Sequence, residues 1–131
     1  MTEPTIEELR RWSAEDLMGW FPRYAEDNRC YDYYYMPYES RDNRYGMQIT
    51  SWLPDCPESG QIWMVVEKMR ELREDGSDGF NFNFNWQGHK GITIALAQFH
   101  RICGKMEFGS GADDNPCLAI LKAAHAAKEE R

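Results

Sequence analysis

The stretch GFNFNFNW, Gly79 to Trp86, alternates aromatic and amide side chains without a break. Phe80, Phe82, Phe84 and Trp86 share one parity; Asn81, Asn83 and Asn85 share the other. Successive side chains of extended backbone point to opposite sides, so a period of two marks a strand with one face buried. Asparagine is a poor strand former, and its threefold use on one face is unusual. The aromatic face is expected to lie under a helix, the central one of the chain. The asparagine face is left to solvent, to another subunit or to a polar ligand.

Outward from this strand, QGHK (87–90) is expected to turn the chain, and GITIALAQF (91–99) to form the next strand. There Ile92, Ile94 and Leu96 face one way and Thr93, Ala95 and Ala97 the other. KMEFGSG (105–111) gives a short third strand, followed by a loop, GSGADDNP (109–116). CLAILKAAHAAKEE is a closing helix, capped by Asp114 or Asn115, with Pro116 at its first position. Leu118, Ile120, Leu121 and Ala124 are its inward residues.

Upstream, DCPESGQIWMVVEKMRELRED (55–75) reads as the central helix. Asp55 or Ser59 serves as its N-cap, with Pro57 and Glu58 in the first turn. Ile62, Val65, Val66, Met69 and Leu72 make the apolar stripe, with Trp63 at its edge. DGSDG (75–79) stops it. TIEELRRWSAEDLMGW (5–20) reads as a first helix, with Thr5 and Glu8 in a capping box and Gly19 at its end. Residues 22–46 read as irregular and rich in Tyr and Arg, Pro37 confining any strand in YDYYYMPY to an edge or a short piece. YGMQITSWLP (45–54) reads as a better strand. The order α-β-α-β-β-β-α defines an α+β domain: an antiparallel sheet of about four strands covered by helices.

The 131 residues make one ordinary domain, residues 1–131, large enough to fold without disulfide or metal. The net charge is −7, and the pI about 4.9. Such a surface repels nucleic-acid backbones and anionic lipid, while suiting a basic protein partner. The charged N-terminal residues lack the apolar core of a signal peptide, and no apolar run reaches bilayer length, which makes the cytoplasm the expected location. Cys30, Cys56, Cys103 and Cys117 are far apart and are expected to be free thiols.

Three stretches together carry a resemblance: AEDLMGW (14–20), WLP…IWMVVEKM (52–69) and GADDNPCLAILKAA (111–124). In this order and at these separations they resemble the phage ABA sandwich domain family, small proteins encoded in bacteriophage and prophage genomes. The likeness covers most of the chain outside residues 22–46. The turn after Trp52 lacks the family's Ser-Thr-Asp, and Cys117 precedes Leu-Ala-Ile instead of following it. The resemblance implies a sheet covered by helices, phage origin and a bacterial host cytoplasm. It supplies no catalytic residues.

No residue pattern in the chain is that of an enzyme, a metal centre or a cofactor site. His89, His100 and His125 lack the paired short spacing of zinc ligands. No nucleophile elbow surrounds Cys103 or Cys117. Asp113 and Asp114 stand where an anion would bind at a helix N-terminus, and serve better as caps and dipole partners. The αβββα order resembles double-stranded RNA-binding domains, but DDNP replaces the lysines that would meet phosphate.

The segment around Tyr31, Tyr33, Tyr34, Tyr35, Tyr38, Arg41, Arg44 and Tyr45 is the candidate binding surface. Tyrosine and arginine dominate interface hot spots, and they also suit nucleotides through stacking and phosphate pairing. The alternative is that these tyrosines pack on the sheet. The expected function is that of a non-enzymatic phage accessory protein that binds and inhibits a host protein, a defence component for instance. The alternatives are a sponge for a small nucleotide signal and a structural or assembly protein of the phage particle. Homo-oligomerisation is left open.

Overall fold

The computed structural model describes residues 3–27, 30–36, 47–72, 79–103 and 105–129; for 23–27, 30–34, 89, 102–103 and 105 it describes the backbone alone. The α+β class holds. The described strands divide between two antiparallel three-stranded sheets instead of forming one sheet of about four. Helix α1 (Ile6–Trp12) runs into a π-helical segment, Ser13–Leu17. Strands β1 (Phe21–Asp27), β2 (Cys30–Met36) and β3 (Met47–Gln48) form the first sheet. Helix α2 (Ile62–Glu71) leads to the second sheet, β4 (Asn81–His89), β5 (Ile92–Cys103) and β6 (Lys105–Asp113), and α3 (Pro116–Glu129) follows.

The opening stretch forms β4 as its parity requires. Phe80 is buried, and Phe82 and Phe84 are partly buried against the core. Phe82 stacks on Phe99 across the strand pair, with centroids 4.9 Å apart. Asn81, Asn83 and Asn85 are exposed on the other face. Trp86 is also exposed, beyond the reach of the helices. The cover differs from the expected one. Helix α3 lies over β6 and β5, whereas α2 meets the sheet at β4. The α2 contact is made by backbone: Phe80 N–H donates to the Met69 carbonyl at 3.0 Å.

On β5 the expected apolar face is reversed in importance. The small residues Ala95 and Ala97 lie inward with Phe99. Ile92 and Ile94 are exposed. The turn before β5 comes later than QGHK, at Lys90 and Gly91, whose φ values of 52° and 81° suit the left-handed hairpin turn.

The third strand expected over KMEFGSG is present and runs on through Ala112 and Asp113, so the loop expected over GSGADDNP is shortened to the residues after Asp113. Gly109 lies opposite Phe99 and Gly111 opposite Ala97, on the inner face of β6. Here a Cβ on Gly109 would collide with the backbone of Ala123 and Ala127, and one on Gly111 with that of Ala119 and Ala123. Ala119, Ala123 and Ala127 are buried at helical spacing. Two glycines thus meet three alanines so that α3 can rest almost on the β6 backbone. Leu118, Ile120, Leu121 and Ala124 complete its buried surface. Each fully buried large side chain of this kind contributes roughly 1.5–3 kcal/mol by transfer.

The first helix is shorter than expected. Thr5 and Glu8 form the capping box, but the α-helix ends at Trp12, and the π segment carries Ala14 and Leu17 into the core. Gly19, at φ 73°, follows its close. Phe21–Asp27 and Cys30–Met36 pair as antiparallel strands where irregular chain, with at most an edge or short strand, was expected; the charged and tyrosine-rich composition hides their alternation. The strand expected over 45–54 is reduced to Met47–Gln48, because Ile49–Ser51 turn as a 3-10 helix.

The central helix also starts late. Pro57–Ser59 form a separate 3-10 turn, and neither Asp55 nor Ser59 is the N-cap of α2; that position is Gln61, which makes no side-chain cap bond. The Gln61 amide instead accepts from Leu53 N–H at 2.7 Å and donates to the Ser51 carbonyl at 3.0 Å, bracing the loop before it. Ile62, Val65, Val66 and Met69 are buried as the stripe requires, and Trp63 is exposed. Asn115 is the α3 cap: its Oδ1 accepts from Cys117 N–H at 3.0 Å. Among the described residues no helix is long and apolar enough to cross a membrane.

Candidate functional site

Helix α1 and the first sheet meet through a run of aromatic side chains. Trp20 packs edge-on against Trp52, at 4.9 Å, and tilts over Tyr35, at 6.2 Å. The Trp52 indole N–H donates to Ser13 Oγ at 2.9 Å and to the Arg10 carbonyl at 3.2 Å. This bond holds the buried ring upright and ties residue 52 to the start of the π segment. Tyr35 is 5% exposed and belongs to the core, as the packing alternative for the tyrosines required. Burial pushes its phenol above the ordinary value, with Glu15 adding to the effect.

A groove of about 320 Å³ opens beside these rings. Tyr35 and Trp52 form its aromatic floor; Ile49, Arg10, Arg11 and Glu7 line its sides. The volume lies at the lower end of small-ligand clefts, and suits one or two side chains of a protein. Both guanidiniums are engaged within the chain. Arg10 Nε and Nη2 donate to Asp55 Oδ1 and Oδ2 at 2.6 and 2.9 Å. Arg11 Nε donates to Glu15 at 2.8 Å, one helical turn on.

Of the tyrosine and arginine residues singled out from sequence, Tyr35 alone has a described side chain, and it is buried. Tyr31, Tyr33 and Tyr34 lie on β2, their backbone paired with Glu26, Tyr24 and Arg23 of β1. Tyr38, Arg41, Arg44 and Tyr45 lie outside the described residues. Arg10, Arg11 and Trp52 complete the groove. From sequence, Trp52 falls in a strand and in the WLP stretch of the resemblance, and Arg10 and Arg11 in the first helix, none of them as binding residues.

The described residues weighed as metal ligands or nucleophiles are dispersed. Among the described residues no three His, Cys, Asp or Glu side chains are grouped to hold a metal ion. His125 packs edge-on against Trp12 at 5.1 Å. Cys117 is buried; burial, together with the Asp55 charge, pushes its thiol above the ordinary value. Cys56 is half-buried, with its thiol 3.9 Å from the Asp55 carboxylate.

Asp113 and Asp114 were expected to serve the N-terminus of α3. Asp113 does: it accepts from Asn115 N–H at 2.9 Å and from Lys122 Nζ at 3.0 Å. Burial would raise its carboxyl, yet those two bonds hold it below the usual range.

A second hollow, of about 540 Å³, lies where Arg70 of α2 stands beside the edge of β4, with Asn81, Asn83 and His100 around it. Among the described residues Phe82 is its one aromatic lining residue, and the rest of the lining is polar.

Together these features define an α+β domain with an aromatic-floored groove between its first helix and first sheet. No family model, curated protein or solved structure matches the chain.

Proposed function

We propose that the chain is a phage-encoded accessory protein, of the phage ABA sandwich kind, that binds a host protein in the bacterial cytoplasm and inhibits it. A defence component is the particular class of target. The groove floored by Tyr35 and Trp52 is its docking point. The observation that supports a protein partner over a nucleotide signal is the state of the two arginines. Arg10 and Arg11 are both held by carboxylates of the same chain. A phosphate entering the groove would meet guanidiniums whose charge Asp55 and Glu15 already offset, whereas an apolar or aromatic side chain needs only the rings. The acidic surface, net charge −7, adds attraction toward a basic partner.

The test is affinity capture from host lysate with the wild type and with Thr50→Trp. Thr50 is exposed on the groove wall, so a large ring there fills the groove without entering the core. A stoichiometric partner retained by the wild type and lost by the variant supports the reading. Recovery of no such partner, or a native mass carrying a nucleotide-sized increment, overturns it.

A further inference from the structure

The side of the β4–β5–β6 sheet away from α3 carries the asparagines of the opening stretch. We infer that this face is a self-association surface that takes a second copy of the chain, sheet against sheet about a twofold axis. The inference is independent of the groove and of its partner.

Three observations carry it. The first is apolar exposure. Ile92, Ile94, Met106 and Phe108 are 60%, 39%, 68% and 48% exposed, and the register places all four on this one face. Clustered exposed apolar groups mark interaction surfaces, where scattered ones do not.

The second is the absence of charge. The register turns Asn81 through Gln87 of β4, Ile92 through His100 of β5, and Met106 through Ala112 of β6 outward at every second position. None of these outward positions is Asp, Glu, Lys or Arg, although 28% of the chain is charged. A solvated face of that size would ordinarily carry about four such residues, since charged side chains belong on surfaces.

The third is self-complementarity, which decides the occupant. In a twofold contact each patch meets its own copy. A charged patch would then face like charge, and two chains of net charge −7 already repel. Amides do not have this conflict: each carries both donor and acceptor, so Asn83 or Gln98 can pair with its own kind. Among the described residues, the one charged side chain seen beside these outward positions is Arg70 of α2, next to Asn81, Asn83 and His100, so a basic partner protein would find no attraction there.

The footprint sets the strength. Three strands about 4.8 Å apart and about nine residues long cover roughly 15 by 30 Å. That is about 450 Å² before side-chain relief, below the roughly 800 Å² per partner of a standard interface. A dimer that dissociates on dilution in the micromolar range is therefore expected.

The experiment is sedimentation velocity of the full chain from about 1 to 200 µM, at low and at high salt. The expected result is a monomer–dimer equilibrium that tightens with added salt, because salt screens the mutual repulsion and this face has no ion pairs to lose. Met106→Glu is expected to weaken it at least tenfold, and Ser110→Arg, at another exposed outward position, likewise. Trp63→Ser, which removes the exposed ring of α2, is expected to leave it unchanged. Thermal melts of the same samples establish that each variant is folded. A wild-type chain that stays monomeric at 200 µM overturns the inference. So does a dimer insensitive to both face variants, or capture of a host protein by this face with no self-association.

Discussion

Arg10 and Asp55 meet in a two-pronged ion pair, Nε to Oδ1 at 2.6 Å and Nη2 to Oδ2 at 2.9 Å, that joins the first helix to the loop before α2. The same Asp55 offers its carbonyl to the Asn115 amide at 2.6 Å, which brings in the cap of α3. One residue thus links three segments that are far apart in sequence.

Burial alone would raise the Asp55 carboxyl; the Arg10 hydrogen bonds and charge, with Asp55's own backbone N–H, outweigh it and hold the group below its ordinary value. A depressed carboxyl stabilises the fold above its unfolded value, near pH 4, and loses that contribution as pH falls through the folded value. Asp55→Asn is expected to cost about 2 kcal/mol at pH 7, somewhat less than a fully buried pair because Arg10 is partly exposed. Urea unfolding from pH 2 to 7 should show the gap between wild type and variant closing toward pH 2. A gap that persists unchanged at pH 2 would contradict the assignment.

Gly109→Ala and Gly111→Ala each force a methyl group into the backbone of α3. Overpacking against a flexible side chain costs about 1–3 kcal/mol, and backbone yields less readily, so about 3 kcal/mol or more is expected. For a chain of this size that lowers the melting temperature by roughly 10 °C. Gly88→Ala is the control: the nearest atom to its Cβ is 3.8 Å away. Its melting temperature is expected to stay within a few degrees of the wild type, about what a surface substitution gives.

Arg101 and Glu107 form an ion pair whose side chains are 4% and 5% exposed. Arg101 also donates to the Leu72 carbonyl at 2.9 Å, beyond the last turn of α2, and lies 4.2 Å above the Phe80 ring. Glu107→Ala removes the carboxylate that the buried guanidinium pairs with across the strands and is expected to cost about 3–5 kcal/mol. The double variant Arg101→Met, Glu107→Leu should recover at least half of that loss in chemical denaturation. Additive losses would show that the pair is not coupled.

Asn115 makes two separable contributions, the cap bond to Cys117 N–H and the bond to the Asp55 carbonyl. Asn115→Ser keeps a cap and loses the cross-link, for about 1 kcal/mol; Asn115→Ala loses both, for about 2 kcal/mol. Equal losses in a thermal melt would mean that only one of the two bonds matters.

What could be read from sequence was what is local. The parity of Phe80, Phe82 and Phe84, the Thr5–Glu8 box, the stripe from Ile62 to Met69 and the cap at Asn115 each lie within a few residues of their partners. The errors share a different origin. Asp55 resembles an N-cap because Pro57 follows it; its true partner, Arg10, is 45 residues away. The close seat of Gly109 and Gly111 under α3 is not visible unless Ala119, Ala123 and Ala127 are held in view at the same time. A period of two in glycine facing a period of four in alanine was the available signal. The candidate site was least legible. Tyrosine serves cores and interfaces equally well, and Tyr35 belongs to the core.

In β4, β5 and β6 every strand pairs with its neighbour in sequence, and α3 folds back on the strand that precedes it. Closing such short connections costs little chain entropy. Helix α1, by contrast, must find Asp55 and α3 across most of the chain. The second sheet with its glycine-seated helix therefore has the topology of a folding nucleus, onto which α1 and the first sheet dock later. Substitutions at Gly109 or Gly111 would on this view slow folding, whereas loss of the Arg10–Asp55 pair would mainly hasten unfolding.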